Sequence, residues 1–199
     1  LPLPLPHKNF ATAAELDVRI IEPSTLVRIS RYDTGEPHFG KSGANRFDDP
    51  RKGGARFGTC YFGIDSLRCA FAETVLHDRR VDLKHGYSVR STELDRYVYR
   101  FTGKPLRVAV MHGEPLLMVG GDGRLSTEKP YRTTQQWALA VFKHDEKVDG
   151  FLYKSRHTDT EALVLFDRAV RKLKPHPPVV FRYAEGATDV LIRFKVQVT

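Results

Sequence analysis

Cysteine is scarce in this chain, with two in 199 residues. Cys60 and Cys69 cannot build a disulfide framework. Both sit in apolar segments, so they read as small buried hydrophobes in a reducing compartment rather than as a redox pair. Two separated cysteines make no zinc site, and the eight histidines are dispersed with no HExxH among them. No metal is therefore expected. The serine-hydrolase elbow GxSxG is missing. GKSGANR (40–46) has the ingredients of a Walker loop in the wrong order, and GGDGR (120–124) does not sit between a strand and a helix, so it reads as a turn. No apolar run reaches membrane-spanning length. The opening LPLPLP lacks the charged lead and continuous apolar stretch of a secretory signal. Its prolines fix φ and remove amide donors, which predicts an extended N-terminal arm over residues 1–15. With no repeat and no long linker, residues 16–199 read as a single cytoplasmic domain.

Acidic residues are in the minority: 24 Asp and Glu against 32 Lys and Arg, a net charge of +8. Such a balance suits an anionic partner. The cations are scattered, apart from RAVRKLKPH (168–176), and no zinc-finger or RNA-binding signature accompanies them. That run reads as a solvated helix end. A non-catalytic, basic nucleic-acid-binding module is the alternative against which an enzymatic reading is weighed.

VRII (18–21), TLVRIS (25–30), FGTCYFGI (57–64), LRVAVM (106–111), FLYKS (151–155), ALVLF (162–166) and VLIRFKVQV (190–198) have strand composition. Asp65 or Ser66 can cap a helix in which Leu67, Ala70, Phe71, Thr74 and Val75 form a buried stripe. Thr133 or Thr134 can cap a second helix carrying Trp137, Ala140 and Val141. Strands outnumber helices without a βαβ rhythm. The expected class is α+β with mostly antiparallel sheets, not a Rossmann layout. Residues 33–57 form a long Gly-, Asp- and Pro-rich loop of the kind that is usually functional or mobile.

From Arg46 to Glu73 the chain places an Arg, a Tyr and a Glu on a loop, a strand and a helix in quick succession. Alternation along 57–64 puts Cys60, Phe62 and Ile64 on the core face and Tyr61 on the other. Glu73 falls beside the helix stripe, on the side of Cys69 and His77. Arg28 points away from Val27 and Ile29, and Ser155 ends its strand ahead of Arg156 and His157. An anionic ligand containing ribose would need such a set: cations for phosphate, an aromatic face for a flat ring, a carboxylate for sugar hydroxyls.

VRIS, NRFDDP, YFGIDSLRCAFAE and DGFLYKSRH, in that order and from about residue 26 to 166, resemble the RES domain, a family of toxins of bacterial toxin–antitoxin pairs. RFDDP replaces the commoner RWNP-like form, and RKGGARFG lengthens the loop that follows. The resemblance implies an ADP-ribosyltransferase-like fold acting on NAD as substrate, by hydrolysis, phosphorolysis or transfer of ADP-ribose to a protein. It also implies a cognate antitoxin with a helix-turn-helix domain. Carried over residue by residue, it implies catalytic roles for Glu73, Tyr61 and Arg46. It implies NAD contacts from Arg28 or Arg31, Arg46, Tyr61 (or its neighbour Phe62), Ser155, and Thr133 or Thr134.

Overall fold

The computed structural model describes residues 1–62 and 66–199, with the backbone alone for residues 59–62. Among the described residues eleven strands occur: β1 (Val18–Ile21), β2 (Val27–Ser30), β3 (Phe57–Phe62), β4 (Tyr87–Val89), β5 (Tyr97–Gly103), β6 (Leu106–Val110), β7 (Gly150–Lys154), β8 (Glu161–Phe166), β9 (Leu173–Pro175), β10 (Val179–Val180) and β11 (Val196–Val198). Helices α1 (Phe10–Ala13), α2 (Leu67–Phe71), α3 (Gly113–Met118), α4 (Arg132–Lys143) and α5 (Ala187–Arg193) accompany them. The main sheet runs β1-β6-β7-β8-β3-β2-β5-β10, with β9 on β5, and β4 pairs with β11 in a second, two-stranded sheet. Only β6–β7 and β4–β11 are parallel. The fold is thus α+β with mostly antiparallel pairing, as the sequence pattern implies.

Strand alternation divides the core between the two sheet faces. Phe151, Tyr153, Ala162, Val164 and Phe166 face one apolar cluster, which α2, α4 and α5 cover. Leu152, Leu163 and Leu165 face another, shared with Tyr99 and Phe101 of β5 and with Leu106 and Val108 of β6. β5 and β6 are far apart in strand order, so a common cluster requires the sheet to curl over on this face. Each fully buried Leu, Val or Phe contributes about 1.5–3 kcal/mol to this arrangement.

Three segments differ from the sequence expectation. Residues 187–193 are helical and only Val196–Val198 is strand. Ala187, Val190, Leu191 and Phe194 recur at i, i+3, i+4 and i+7 and pack on the core, so the helical period overrides the β-rich composition. α4 begins at Arg132, which places Thr134 inside its first turn instead of at the cap. RAVRKLKPH is a 3-10 turn followed by an edge strand, with Arg168 and Lys172 held down while Arg171 and Lys174 are exposed. Arg168 donates to Phe142 O at 2.6 Å, and Lys172 pairs with Asp149 at 2.6 Å. β5 and α3 are formed in addition to the elements expected from sequence. Ser66 caps α2, accepting from Cys69 N at 3.0 Å; Asp65 and Ile64 lie outside the described residues, as do the side chains of Cys60 and Phe62.

The N-terminal segment lies against the body. Leu3 and Phe10 are each 3% exposed. Trp137 Nε1 donates to Pro4 O at 2.8 Å, and the Phe10 ring meets Trp137 edge-on at 5.5 Å. Phe10→Ala is expected to destabilise the fold by about 3 kcal/mol in urea denaturation, whereas exposed Leu5→Ala changes stability by less than about 0.5 kcal/mol. Equal effects from the two would show that the segment only rests on the surface.

Candidate active site

Residues 40–49 are held in shape by one carboxylate. Asp48 accepts from Ser42 Oγ (3.1 Å), from Asn45 N (3.1 Å) and from Asn45 Nδ2. Gly58 lets this turn approach β3: its φ is +116°, and a Cβ there would lie 2.7 Å from Asp48 Oδ1, at the bulge between Phe57 and Thr59. A side chain would be both strained and obstructed. Phe47 then plugs into the core against Phe151 and Tyr153. Arg46, next to this anchor, is thereby turned into a cleft.

α4 fixes the same turn from the other side. Thr134 is fully buried, with Oγ1 2.6 Å from Arg46 O and 2.8 Å from Tyr131 O. Gln135 Nε2 donates to Gly43 O and Asn45 O, each at 2.9 Å. Thr134 therefore sits behind Arg46 and holds its backbone, where the sequence reading had it touching the ligand. The Arg46 guanidinium lies over the Tyr131 ring at 4.8 Å, and its Nη1 donates to Glu128 O at 2.9 Å. Its Nη2 is buried with no hydrogen-bond partner among the described residues. Burial lowers the Arg46 pKa, but a guanidinium remains charged at neutral pH. A buried, unanswered N–H on a cation costs free energy unless something binds it.

α2 widens into a π-helical turn over Ala72–Leu76, a distortion found often at functional sites. Leu67, Ala70, Phe71 and Val75 stay in the core, while Glu73 turns to the cleft with its side chain 8% exposed. Ser155, at the end of β7, donates to Glu73 Oε1 at 2.6 Å. The same hydroxyl accepts from His157 N and Thr158 N, so Ser155 is a buried post that orients the carboxylate. The sequence reading had it facing the ligand. Oε2 faces His77 Nδ1 at 3.6 Å and His157 Nε2 at 4.0 Å. Burial works to raise the Glu73 pKa, but nearby His77, the Ser155 hydroxyl and His157 outweigh it and hold the group below its ordinary value. Glu73 is thus a carboxylate at neutral pH. His157 is lowered, first by burial, with Arg156 and His77 acting in the same direction. Arg156 Nε donates to His157 Nε2 at 3.0 Å, and its Nη2 lies 3.2 Å from His77 Nε2.

The cleft has a volume of about 830 Å³, within the range of small-molecule sites. Arg28, Arg31, Arg46, Arg79, Arg96, Arg156 and Lys129 line it against Glu73, Asp78 and Glu93, so its charge favours an anion. Arg28 and Arg31 both reach it. Arg28 Nε pairs with buried Glu36 at 2.8 Å, while Arg31 is exposed with no ion pair among the described residues. Arg79 and Arg96 converge on Glu93. Of the residues singled out by sequence, Arg28, Arg31, Arg46 and Glu73 line one cleft, and Ser155 and Thr134 stand behind it. The backbone of Tyr61, in β3, pairs with Leu163 of β8; the Tyr61 side chain lies outside the described residues. Tyr131, His77, Arg156 and Lys129 were not assigned roles from sequence. Arg156 had a signal, lying directly after the singled-out serine. Tyr131 carried none beyond its place before the Trp137 helix.

Over 100 residues, the chain is 28% identical to "Probable toxin y4kH" of Sinorhizobium fredii, covering 49% of this chain and 79% of that protein. The fold is like that of a chain in the crystal structure of the M. tuberculosis MbcT–MbcA toxin–antitoxin complex. That match has a TM-score of 0.55 at 16% identity and covers 80% of this chain and 85% of that one. The RES domain family model matches residues 25–184, a span that holds both the loop of Arg46 and the serine behind Glu73, and the chain belongs to the RES domain family.

Proposed function

We propose that this protein is a bacterial toxin that consumes NAD by cleaving the bond between nicotinamide and ribose. The observation that carries the reading is the ionised Glu73, held in a cationic cleft that also contains the buried, unanswered Nη2 of Arg46. A dinucleotide offers both a diphosphate for the guanidinium and ribose hydroxyls for the carboxylate.

Cleavage of this bond passes through an oxocarbenium-like state, as in glycoside hydrolysis. Nicotinamide leaves as a neutral molecule from a cationic ring, so strong acid assistance is unnecessary. The protein has to hold the dinucleotide bent and stabilise positive charge on the ribose. Glu73 supplies that stabilisation through Oε2, since Oε1 is engaged by Ser155. Ser155 keeps the carboxylate from rotating, and Thr134 keeps Arg46 in place. Arg46 holds the diphosphate, with Arg28 or Arg31 contributing from β2. Tyr61 is assigned to the nicotinamide face, where an aromatic ring can stack on a cationic ring.

The ADP-ribose acceptor is water, phosphate or a protein side chain. The lengthened loop at 48–58 offers a surface on which a protein substrate could dock. A cognate antitoxin with a helix-turn-helix domain is assigned to neutralisation, through an acidic segment that enters the basic cleft. The relative in the MbcT–MbcA complex is consistent with such a partner. No helix among the described residues is long and apolar enough to cross a membrane, and the cytoplasm, where NAD and an antitoxin would be met, is the proposed site of action.

Nicotinamide-labelled and adenylate-labelled NAD, incubated with the protein alone, with phosphate and with bacterial lysate, test the reading. Nicotinamide release is expected, and the second label identifies the acceptor. No release in any of the three would overturn the reading. Glu73→Gln keeps the Ser155 contact and the side-chain volume, and is expected to lower turnover by roughly 10²–10³-fold while retaining NAD binding; comparable NAD consumption by the variant would remove Glu73 from the mechanism. Arg46→Ala is expected to weaken NAD binding by roughly tenfold or more, the value of a charge-assisted hydrogen bond, as read by calorimetry. An unchanged affinity would contradict the diphosphate assignment.

A further inference from the structure

The fold gathers two of the dispersed histidines around the second oxygen of Glu73. Glu73, His77 and His157 each offer one ligand atom within 4.8 Å of the other two; Glu73 Oε2 lies 3.6 Å from His77 Nδ1 and 4.0 Å from His157 Nε2. We propose that Glu73, His77 and His157 form a binding site for a Zn²⁺-class divalent cation, and that this cation and the Arg156 guanidinium occupy the site in alternation.

The donor chemistry selects the ion. Two imidazole nitrogens and one carboxylate oxygen form the ligand set of three-residue zinc sites, with a fourth position left to water. Mg²⁺ and Ca²⁺ prefer oxygen ligands throughout. Bonds of about 2.0–2.1 Å put neighbouring donors of a tetrahedron roughly 3.3 Å apart. The carboxylate-to-imidazole distances are 3.6 and 4.0 Å and all three donors lie within 4.8 Å of one another, so the side chains must close in by up to roughly 1.5 Å. His77 Nδ1 is buried with no hydrogen bond of normal length among the described residues, and its nearest partner is Glu73 Oε2 at 3.6 Å, so ligation replaces only that long contact. Glu73 and His77 are four residues apart on one helical segment, and the His157 amide is tied to Ser155 Oγ at 3.1 Å. Both ligand arms are therefore anchored to rigid elements.

Arg156 is the competitor. Its Nε takes the lone pair of His157 Nε2, and its Nη2 faces His77 Nε2. A cation bound to Nδ1 of His77 requires the proton to move to Nε2, where it can no longer accept from Arg156. Asp78 is placed to serve the new arrangement. Its Oδ2 is 3.8 Å from His77 Nε2, and its Oδ1 is 3.7 Å from Arg156 Nη2. It can accept from the relocated proton, as carboxylates do behind metal-bound histidines, and it can receive the displaced guanidinium. With the cation in place, Glu73 Oε2 is no longer open to a ribose, so metal occupancy would shut off cleavage. That consequence rests on the NAD reading; the binding itself does not.

Titration of the purified full chain with ZnCl₂ at neutral pH, by calorimetry and by competition with a chromophoric chelator, tests the site without NAD. One Zn²⁺ per chain is expected, with no comparable binding of Mg²⁺. His77→Ala and His157→Ala should each weaken Zn²⁺ affinity at least tenfold, and Arg156→Ala should strengthen it severalfold. His157 is exposed, so its variant carries the test if His77→Ala fails to fold by circular dichroism. Absence of one-to-one binding, or an affinity unmoved by His157→Ala, overturns the proposal. NAD cleavage without Zn²⁺ binding sinks this inference alone, and Zn²⁺ binding without NAD cleavage sinks only the preceding one.

Discussion

The site depends on a single hydrogen bond, from Ser155 Oγ to Glu73 Oε1 at 2.6 Å. A carboxylate with its side chain only 8% exposed would ordinarily take up a proton and leave the anionic state. His77, the Ser155 hydroxyl and nearby His157 together reverse that tendency. The bond joins a helix that follows β3 to a turn that follows β7, two parts of the chain that the sheet brings together through β8. Orientation and fold are thereby coupled: the bond that fixes the carboxylate forms because the sheet sets both elements side by side.

Arg46 is placed by a parallel construction. Asp48 shapes the turn, Gly58 lets it approach β3, Phe47 pins it into the core, and Thr134 with Gln135 grips its carbonyls from α4. Most of these residues never reach the cleft. They spend their polar groups on holding a backbone, and the result is a guanidinium with one N–H left over. A buried cation with unmet hydrogen-bonding capacity and a buried anion with one oxygen uncommitted form a preorganised pair, which is how a protein stabilises developing charge without rearranging during the reaction.

Much of this was legible in the sequence, for identifiable reasons. The strands β1, β6, β7 and β8 carry strong β composition, and the stripe Leu67, Ala70, Phe71, Val75 shows its helical period. Glu73 stands out because it lies beside that stripe. The Ala187–Phe194 segment, by contrast, has β-rich composition on a helical period. Ser155 and Thr134 were recognisable as important but not as supports, because spacing along a chain does not reveal which way a hydroxyl points. The meeting of His77, His157 and Arg156 around Glu73 could not be read from dispersed positions, since it exists only after β7 and α2 have been set side by side.

The most direct test of the account is a crystal structure of Glu73→Gln with NAD bound. The account predicts the nicotinamide ribose against the residue 73 side chain and the diphosphate on Arg46 Nη2, with Ser155 and Thr134 behind the ligand and not touching it. A dinucleotide bound elsewhere on the protein, or one lying in the cleft with its diphosphate away from Arg46, would contradict it.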